Sequence, residues 1–235
     1  MEPDTTRGGV WTIVVGGGSG ARFGRPKQYE QLTDTERVID RSRRVAATVT
    51  DGVVVVVPPA DAAAEGGVPG GATRSDSVRA GLSALPDDGS IEIVCVHDAA
   101  RPMATHQLYR RVIDAVRAGA DAAVPGVTVA DTIKLVDDAG RVVHTPDRGA
   151  LRAIQTPQAF RLATLRAAHA DGGDATDDAA LVESAGGVVV VVDGESDNQK
   201  ITLPADLERA RALCATDLPG GPASAQRRSS TVVEA

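Results

Sequence analysis

Residues Val10–Gln28 read VWTIVVGGGSGARFGRPKQ, a β-branched apolar run that breaks abruptly into glycine. Six consecutive residues of this kind are too few for a buried helix, and β-branching at χ1 favours an extended chain, so Val10–Val15 is predicted as a strand. The absence of alternation means that both of its faces are covered, as in a parallel sheet layered with helices. The five glycines that follow within nine residues (16, 17, 18, 20 and 24) let backbone N–H groups approach a phosphate chain, and Arg22, Arg25 and Lys27 bring charge to it. The loop ends Arg25-Pro26-Lys27-Gln28 rather than Gly-Lys-Ser/Thr, which disfavours a Walker A loop. Pro26 also interrupts any early helix, and the second strand ends Val57-Pro58-Pro59 without an acid, which disfavours a dinucleotide fingerprint.

Outward from this stretch the same pattern recurs. Val53–Val57, Ile91–Val96, Ala122–Val124 and Val188–Val192 are further apolar strands. Between them, helical spacing predicts helices over Thr35–Thr48, Ser75–Leu85 (with Ser75 as N-cap), Gln107–Ala118, Phe160–Ala170, Asp177–Ala185 and Ala205–Leu213, with Pro204 at the start of the last. Strand and helix in alternation define an α/β layered domain, taken as one unit over residues 1–216. Val127–His144 departs from the rhythm: two strand-like pieces flank an Asp137-Asp138-Ala139-Gly140 turn, the mark of a hairpin. A hairpin arm of about 127–148 with so little core of its own is expected to pack on another subunit. Pro58–Gly71 reads as a surface loop, and Asp217–Ala235, rich in Gly, Pro, Ser and Ala, as a disordered tail.

Composition narrows the function. The chain has 235 residues, 42% of them hydrophobic but only 2% aromatic, so its core must be built from Val, Ala, Leu and Ile. A net charge of −7 argues against a nucleic-acid binder with a large basic surface. No apolar run approaches the roughly 18–20 residues of a membrane span, and the opening MEPDTTRGG lacks a signal-peptide apolar stretch. Cys95 and Cys214 are too few for a disulfide framework and read as packing residues, so a cytoplasmic location is expected. Four scattered histidines (97, 106, 144, 169) give no zinc constellation.

The second candidate for chemistry is His97-Asp98-Ala99-Ala100-Arg101-Pro102, at the carboxyl end of the Ile91–Val96 strand, where open parallel sheets bind ligands. Asp98 would face the same crevice as the glycine loop. There it could hold Mg²⁺ together with phosphate oxygens and water, or it could be a helix cap or an ion-pair partner of Arg101. His97 reads as structural.

Seven motifs then occur in one order: GGGSGARFGRPKQ (Gly16–Gln28), GGATRSDSVRAGL (Gly70–Leu82), VHDAARP (Val96–Pro102), DTIK (Asp131–Lys134), PDRGALRAIQTPQAF (Pro146–Phe160), TDDAALVE (Thr176–Glu183) and DNQKIT (Asp197–Thr202). Over about residues 10–214 the chain resembles the 2-C-methyl-D-erythritol 4-phosphate cytidylyltransferases. The resemblance implies a Rossmann-like, mostly parallel sheet flanked by helices, with a hairpin arm that interlocks a homodimer. It implies CTP and a polyol phosphate as substrates, with Mg²⁺ on Asp98. It makes Arg22 and Lys27 the catalytic cations, and Gly16, Gly17, Gly18 and Gly20 the triphosphate loop. Gly71, Arg74 and Ser77 match positions around the nucleotide, Arg148, Thr176 and Lys200 match those around the acceptor, and Ala99 and Arg101 match substrate-binding positions. Thr132 and Arg148 would reach from the arm into the other subunit's site.

The chain departs from the family in a few places. Gly16-Gly17-Gly18 stands for the usual Ala-Ala-Gly, the segment from Arg22 to Pro26 is short, Ala72 stands where an acid is common, and DNQK replaces Asp-Asn-Ile-Lys. Pro58–Gly71 is short as well, which points to a missing or reduced helix. Two competing readings share the loop: a ribitol-5-phosphate-type cytidylyltransferase, and a nucleotide-binding protein without turnover on the same fold.

Overall fold

The computed structural model describes residues 8–18, 20 and 22–216; the tail 217–235 lies outside them. In chain order the strands are β1 (Gly9–Val15), β2 (Gln31–Thr33), β3 (Glu36–Arg37), β4 (Gly52–Val57), β5 (Val68–Pro69), β6 (Ile91–Asp98), β7 (Ala122–Thr128), β8 (Leu135–Val136), β9 (Val142–His144), β10 (Arg152–Ile154), β11 (Gln158–Arg161) and β12 (Val189–Asp193). The helices are α1 (Val38–Ala47), α2 (Ala62–Glu65), α3 (Arg74–Ser83), α4 (His106–Arg117), α5 (Leu162–His169), α6 (Asp178–Ser184) and α7 (Pro204–Thr216).

The main sheet runs β12-β7-β11-β6-β1-β4-β5. Neighbours are parallel except that β11 lies antiparallel between β6 and β7, and β10, past it, pairs antiparallel with the end of β7. The period-2 alternation of strands sorts the valines into two layers. Val14, Val55, Val57, Ile93 and Cys95 face α1 and α4, meeting Ile39, Leu108, Tyr109 and Val112. Ile13, Val54, Val56, Val94 and Val96 face the other way, onto Val78 and Leu82 of α3, Leu165 of α5 and Val182 of α6. A third cluster joins Phe23 of the glycine loop to Leu32, Val38 and Ile201 and to Leu207, Ala210 and Cys214 of α7. Among the described residues no helix is long and apolar enough to cross a membrane.

Four expectations need correction. The cap of α3 is Thr73, not Ser75: Thr73 and Asp76 exchange side-chain-to-backbone hydrogen bonds, both 3.0 Å, as a reciprocal capping box. Phe160 belongs to strand β11, pressed between β6 and β7, and the helix after it begins at Leu162. Pro58–Gly71 is not wholly a loop. Tyr29 donates to Asp61 at 2.8 Å and Arg37 grips Glu65 at 2.8 and 2.9 Å, which fixes one helical turn, α2, before β5 pairs with β4. That single turn fits the reduced helix inferred from length. Finally, Val127 and Thr128 are the end of β7, and the hairpin proper is the two-stranded β8–β9 pair. Its apolar side chains are bare: Leu135, Val142 and Val143 are 57%, 58% and 63% exposed.

Candidate active site

The carboxyl ends of β1 and β6 lie in register, Val15 beside Asp98, and the Ala99 N–H donates to the Val15 carbonyl at 2.9 Å. The glycine run therefore begins where β6 delivers its carboxylate. Gly20 turns the loop in the left-handed region (φ 69°), and a Cβ there would sit 1.9 Å from the Arg25 carbonyl oxygen. The N–H groups of Phe23 and Gly24 both donate to the Gly20 carbonyl at 2.8 Å, and buried Phe23 pins the loop to the third core cluster. Lys27 follows Pro26 in a single 3-10 turn, Lys27–Tyr29.

The facing wall is the start of α3. Gly71 passes so close that a Cβ would lie 2.2 Å from that of Asp76, and its N–H donates to Ser77 Oγ at 3.2 Å. The positive end of the helix dipole thus opens onto the same space.

Between these walls lies a cleft of about 510 Å³, lined by Gly16, Gly17, Gly18, Gly20, Arg22, Lys27, Gly71, Arg74, Ser77, Asp98, Ala99 and Lys200 among others. Among the described residues its ionisable lining is four cations, Arg22, Lys27, Arg74 and Lys200, against one carboxylate, Asp98. On a chain of net charge −7 this is a local reversal of sign. Asp98 is claimed on both oxygens, by Arg74 Nε at 3.2 Å and Lys200 Nζ at 2.6 Å. Burial alone would raise its carboxyl, but the Arg74 and Lys200 charges outweigh burial and hold it well below the usual carboxylate range. The same logic runs in reverse for Lys27: burial, then the Lys200 and Arg22 charges, lower its ammonium below the ordinary lysine value.

Behind Asp98 the packing is neutral and exact in its donors. The Asp98 N–H donates to Thr156 Oγ1 at 3.0 Å, and that hydroxyl lies 3.1 Å from His97 Nδ1 while His97 Nε2 lies 3.2 Å from the Arg101 carbonyl. His97 is therefore the Nε2–H tautomer, accepting at Nδ1, and burial pushes it down to about 4. It is the structural residue expected.

Four expected site residues stand outside this cleft. The Arg101 guanidinium donates to the Asn198 and Ile154 carbonyls at 2.9 and 3.3 Å, bracing the loop that carries Lys200, and burial lowers its pKa. Thr132 and Arg148 are exposed on the arm, Arg148 donating to the Ala130 carbonyl at 2.8 Å, and Thr176 is exposed before α6. Of the two roles open to Asp98 within the protein, an ion pair with Arg101 gives way to pairs with Arg74 and Lys200. Sequence reasoning missed Asp178, whose carboxylate takes Arg74 Nη1 at 2.7 Å from 104 residues away; it lies inside the quoted TDDAALVE, but nothing in that motif names its partner. Among the described residues no three His, Cys, Asp or Glu side chains gather to hold a metal ion. Asp98 alone fits a cation whose other ligands are phosphate oxygens and water.

A glycine-backed cleft of this polarity, at the carboxyl ends of a parallel sheet, suits a polyphosphate; comparison with known proteins gives the class as nucleotidyltransferase. The family model described as 2-C-methyl-D-erythritol 4-phosphate cytidylyltransferase matches residues 10–216, and the chain belongs to that family. Enzymes of that name from Streptomyces coelicolor and Nocardia farcinica are 44% and 43% identical to it. The matches cover 86% and 91% of this chain, and 84% and 97% of theirs. The crystal structure of 4-diphosphocytidyl-2C-methyl-D-erythritol synthase from Anaerococcus prevotii superposes with a TM-score of 0.76 at 30% identity, over 88% of this chain and 98% of that one.

Proposed function

We propose that the chain transfers CMP from CTP to 2-C-methyl-D-erythritol 4-phosphate, giving 4-diphosphocytidyl-2-C-methyl-D-erythritol and pyrophosphate for isoprenoid precursors. The observation that carries this reading is the four-to-one excess of cations over carboxylate in the glycine-loop cleft.

The acceptor needs no protein base. A phosphate monoester has a second pKa of about 6 and is largely dianionic at neutral pH. Its oxygen attacks the α-phosphorus of CTP in line, and the bond to the pyrophosphate oxygen breaks. Bringing one anion onto another is the obstacle, so the protein supplies positioning and charge. Arg22 and Lys27 bracket the α-phosphate, and the loop N–H groups of Gly16, Gly17, Gly18 and Gly20 cradle the triphosphate. Gly71, Arg74, Ser77 and Ala99 enclose the nucleotide. Lys200, 39% exposed, is free enough to pass from Asp98 to the acceptor phosphate. Asp98, with the phosphates, is the residue that would hold Mg²⁺, which when bound neutralises phosphate charge.

Thr176 and Arg101 belong to the acceptor side in this reading, Arg101 through the loop that it braces. Thr132 and Arg148 of one copy serve the cleft of another: neither lines its own, and the bare Leu135, Val142 and Val143 make an apolar patch on the same arm that a second copy would cover. A homodimer with shared sites follows. Phosphorylated substrates and two buried cysteines go with a cytoplasmic setting.

The test is Mg²⁺-dependent pyrophosphate release from CTP with methylerythritol 4-phosphate, beside ribitol 5-phosphate and an Asp98→Ala control. Release with the first acceptor only, lost in the variant, is the expected result. Release with ribitol phosphate only overturns the acceptor, and CTP binding without release on either overturns the mechanism.

A further inference from the structure

Beyond the cleft, one polar chain runs from its wall into the helical layer. Asp178, in the first turn of α6, has a side chain that is 0% exposed. One of its oxygens accepts from Arg74 Nη1 at 2.7 Å and the other from His169 Nε2 of α5 at 3.0 Å. Arg74 in turn gives Asp98 only its Nε, at 3.2 Å. A guanidinium facing a carboxylate ordinarily closes on it with two parallel N–H bonds. Here the shorter, stronger contact goes to Asp178, and Asp98 keeps one long one. A buried ion pair seldom stabilises a fold more than apolar packing of the same volume would, so stability alone gives little reason for two acids and a histidine at this point.

We propose that Asp178 is a positioning residue: by holding Arg74 from behind, it stops the guanidinium from closing bidentate on Asp98, so that a divalent cation arriving with the nucleotide meets a single long N–H contact on Asp98 rather than a fork. His169 fixes the Asp178 carboxylate in that task. The inference rests on the reading of Asp98 as the cation-holding residue. Without Asp178, Arg74 would be free to add a second N–H contact to Asp98, and the cation would have to displace an arginine fork instead of one long contact.

Calorimetric titration of CTP into the full chain, with and without Mg²⁺, tests this without relying on turnover. In the wild type Mg²⁺ tightens CTP. In Asp178→Asn the ratio of affinity with Mg²⁺ to affinity without it is expected to fall about tenfold, the scale of one charge-assisted contact. His169→Leu lowers the ratio in the same direction, and His169→Gln, which keeps a donor, restores it. These histidine variants carry the test should Asp178→Asn fail to fold. A merely structural role would lower the melting temperature with the ratio unchanged, and folded Asp178→Asn and His169→Leu with the wild-type ratio overturn the proposal. A wild type whose CTP affinity ignores Mg²⁺ overturns the assignment of Asp98 instead, and this inference with it.

Discussion

Replacing Lys27 by methionine removes a charge while keeping most of the stem that packs beside the glycine loop. Lys27 stands half-buried among Arg22, Lys200 and Asp98, where burial and the two like charges already lower its pKa, so it is held there at a cost. A full charge about 4 Å from a phosphate oxygen is worth about 4 kcal/mol at an effective dielectric near 20. Part of that is felt equally by bound CTP and by the transition state and does not reach kcat. The remainder should match the loss of one fixed electrostatic donor, about 10²–10³-fold in kcat, or about 3–4 kcal/mol. The KM for CTP should move by less than about fivefold, because in the proposed reading Arg22, Arg74 and the loop N–H groups still hold the nucleotide. Pyrophosphate release measured over a range of CTP, with the acceptor saturating, separates the two constants. A Lys27→Met enzyme with kcat within about tenfold of wild type, or one that loses only CTP affinity, refutes the role given to this side chain.

Other outcomes can be stated more briefly. Gly20→Ala puts a Cβ 1.9 Å from the Arg25 carbonyl in a left-handed turn, costing about 1–2 kcal/mol or more, and should lower kcat/KM with CTP at least about tenfold while circular dichroism stays native. His97 remains neutral in the fold down to about pH 4, whereas the unfolded chain takes a proton near 6.5. The unfolded state then binds more protons, and about 3 kcal/mol of stability is lost as pH falls between those values; melting curves should show this slope, and His97→Gln should flatten it. Leu135→Glu with Val143→Glu on the arm should give a monomer in sedimentation velocity and suppress turnover; a fully active monomer would refute the shared site.

Most of the sheet was legible because β1, β4, β6 and β12 are dominated by Val and Ile with no competing period, and the longer helices because apolar residues recur along them at helical spacing. The cleft was legible because glycine spacing and the Asp98 motif sit at strand ends, where chain geometry forces them together. What could not be read depends on distance along the chain. That Phe160 is strand rather than helix is decided by β6 and β7 on either side of it, not by its neighbours in sequence. That Lys200 rests on Asp98 and that Asp178 holds Arg74 are contacts across 102 and 104 residues, and no local propensity reports them. The capping box at Thr73 was within reach, since Thr-x-x-Asp precedes the apolar spacing, but Ser75 has the same chemistry two residues on.

The third core cluster gives the order of synthesis a consequence for the site. Phe23, the anchor of the glycine loop, packs with Leu207, Ala210 and Cys214 of α7, and Arg211 donates twice to the Gln31 carbonyl, at 2.9 and 2.7 Å. All strands of the sheet lie before residue 194, whereas this clasp begins at Pro204. A growing chain can therefore lay down its whole scaffold while the loop near its beginning still lacks the partner that seats it. An early-made part of the cleft is finished by a helix made after every described strand, so completing the sheet does not by itself seat the glycine loop.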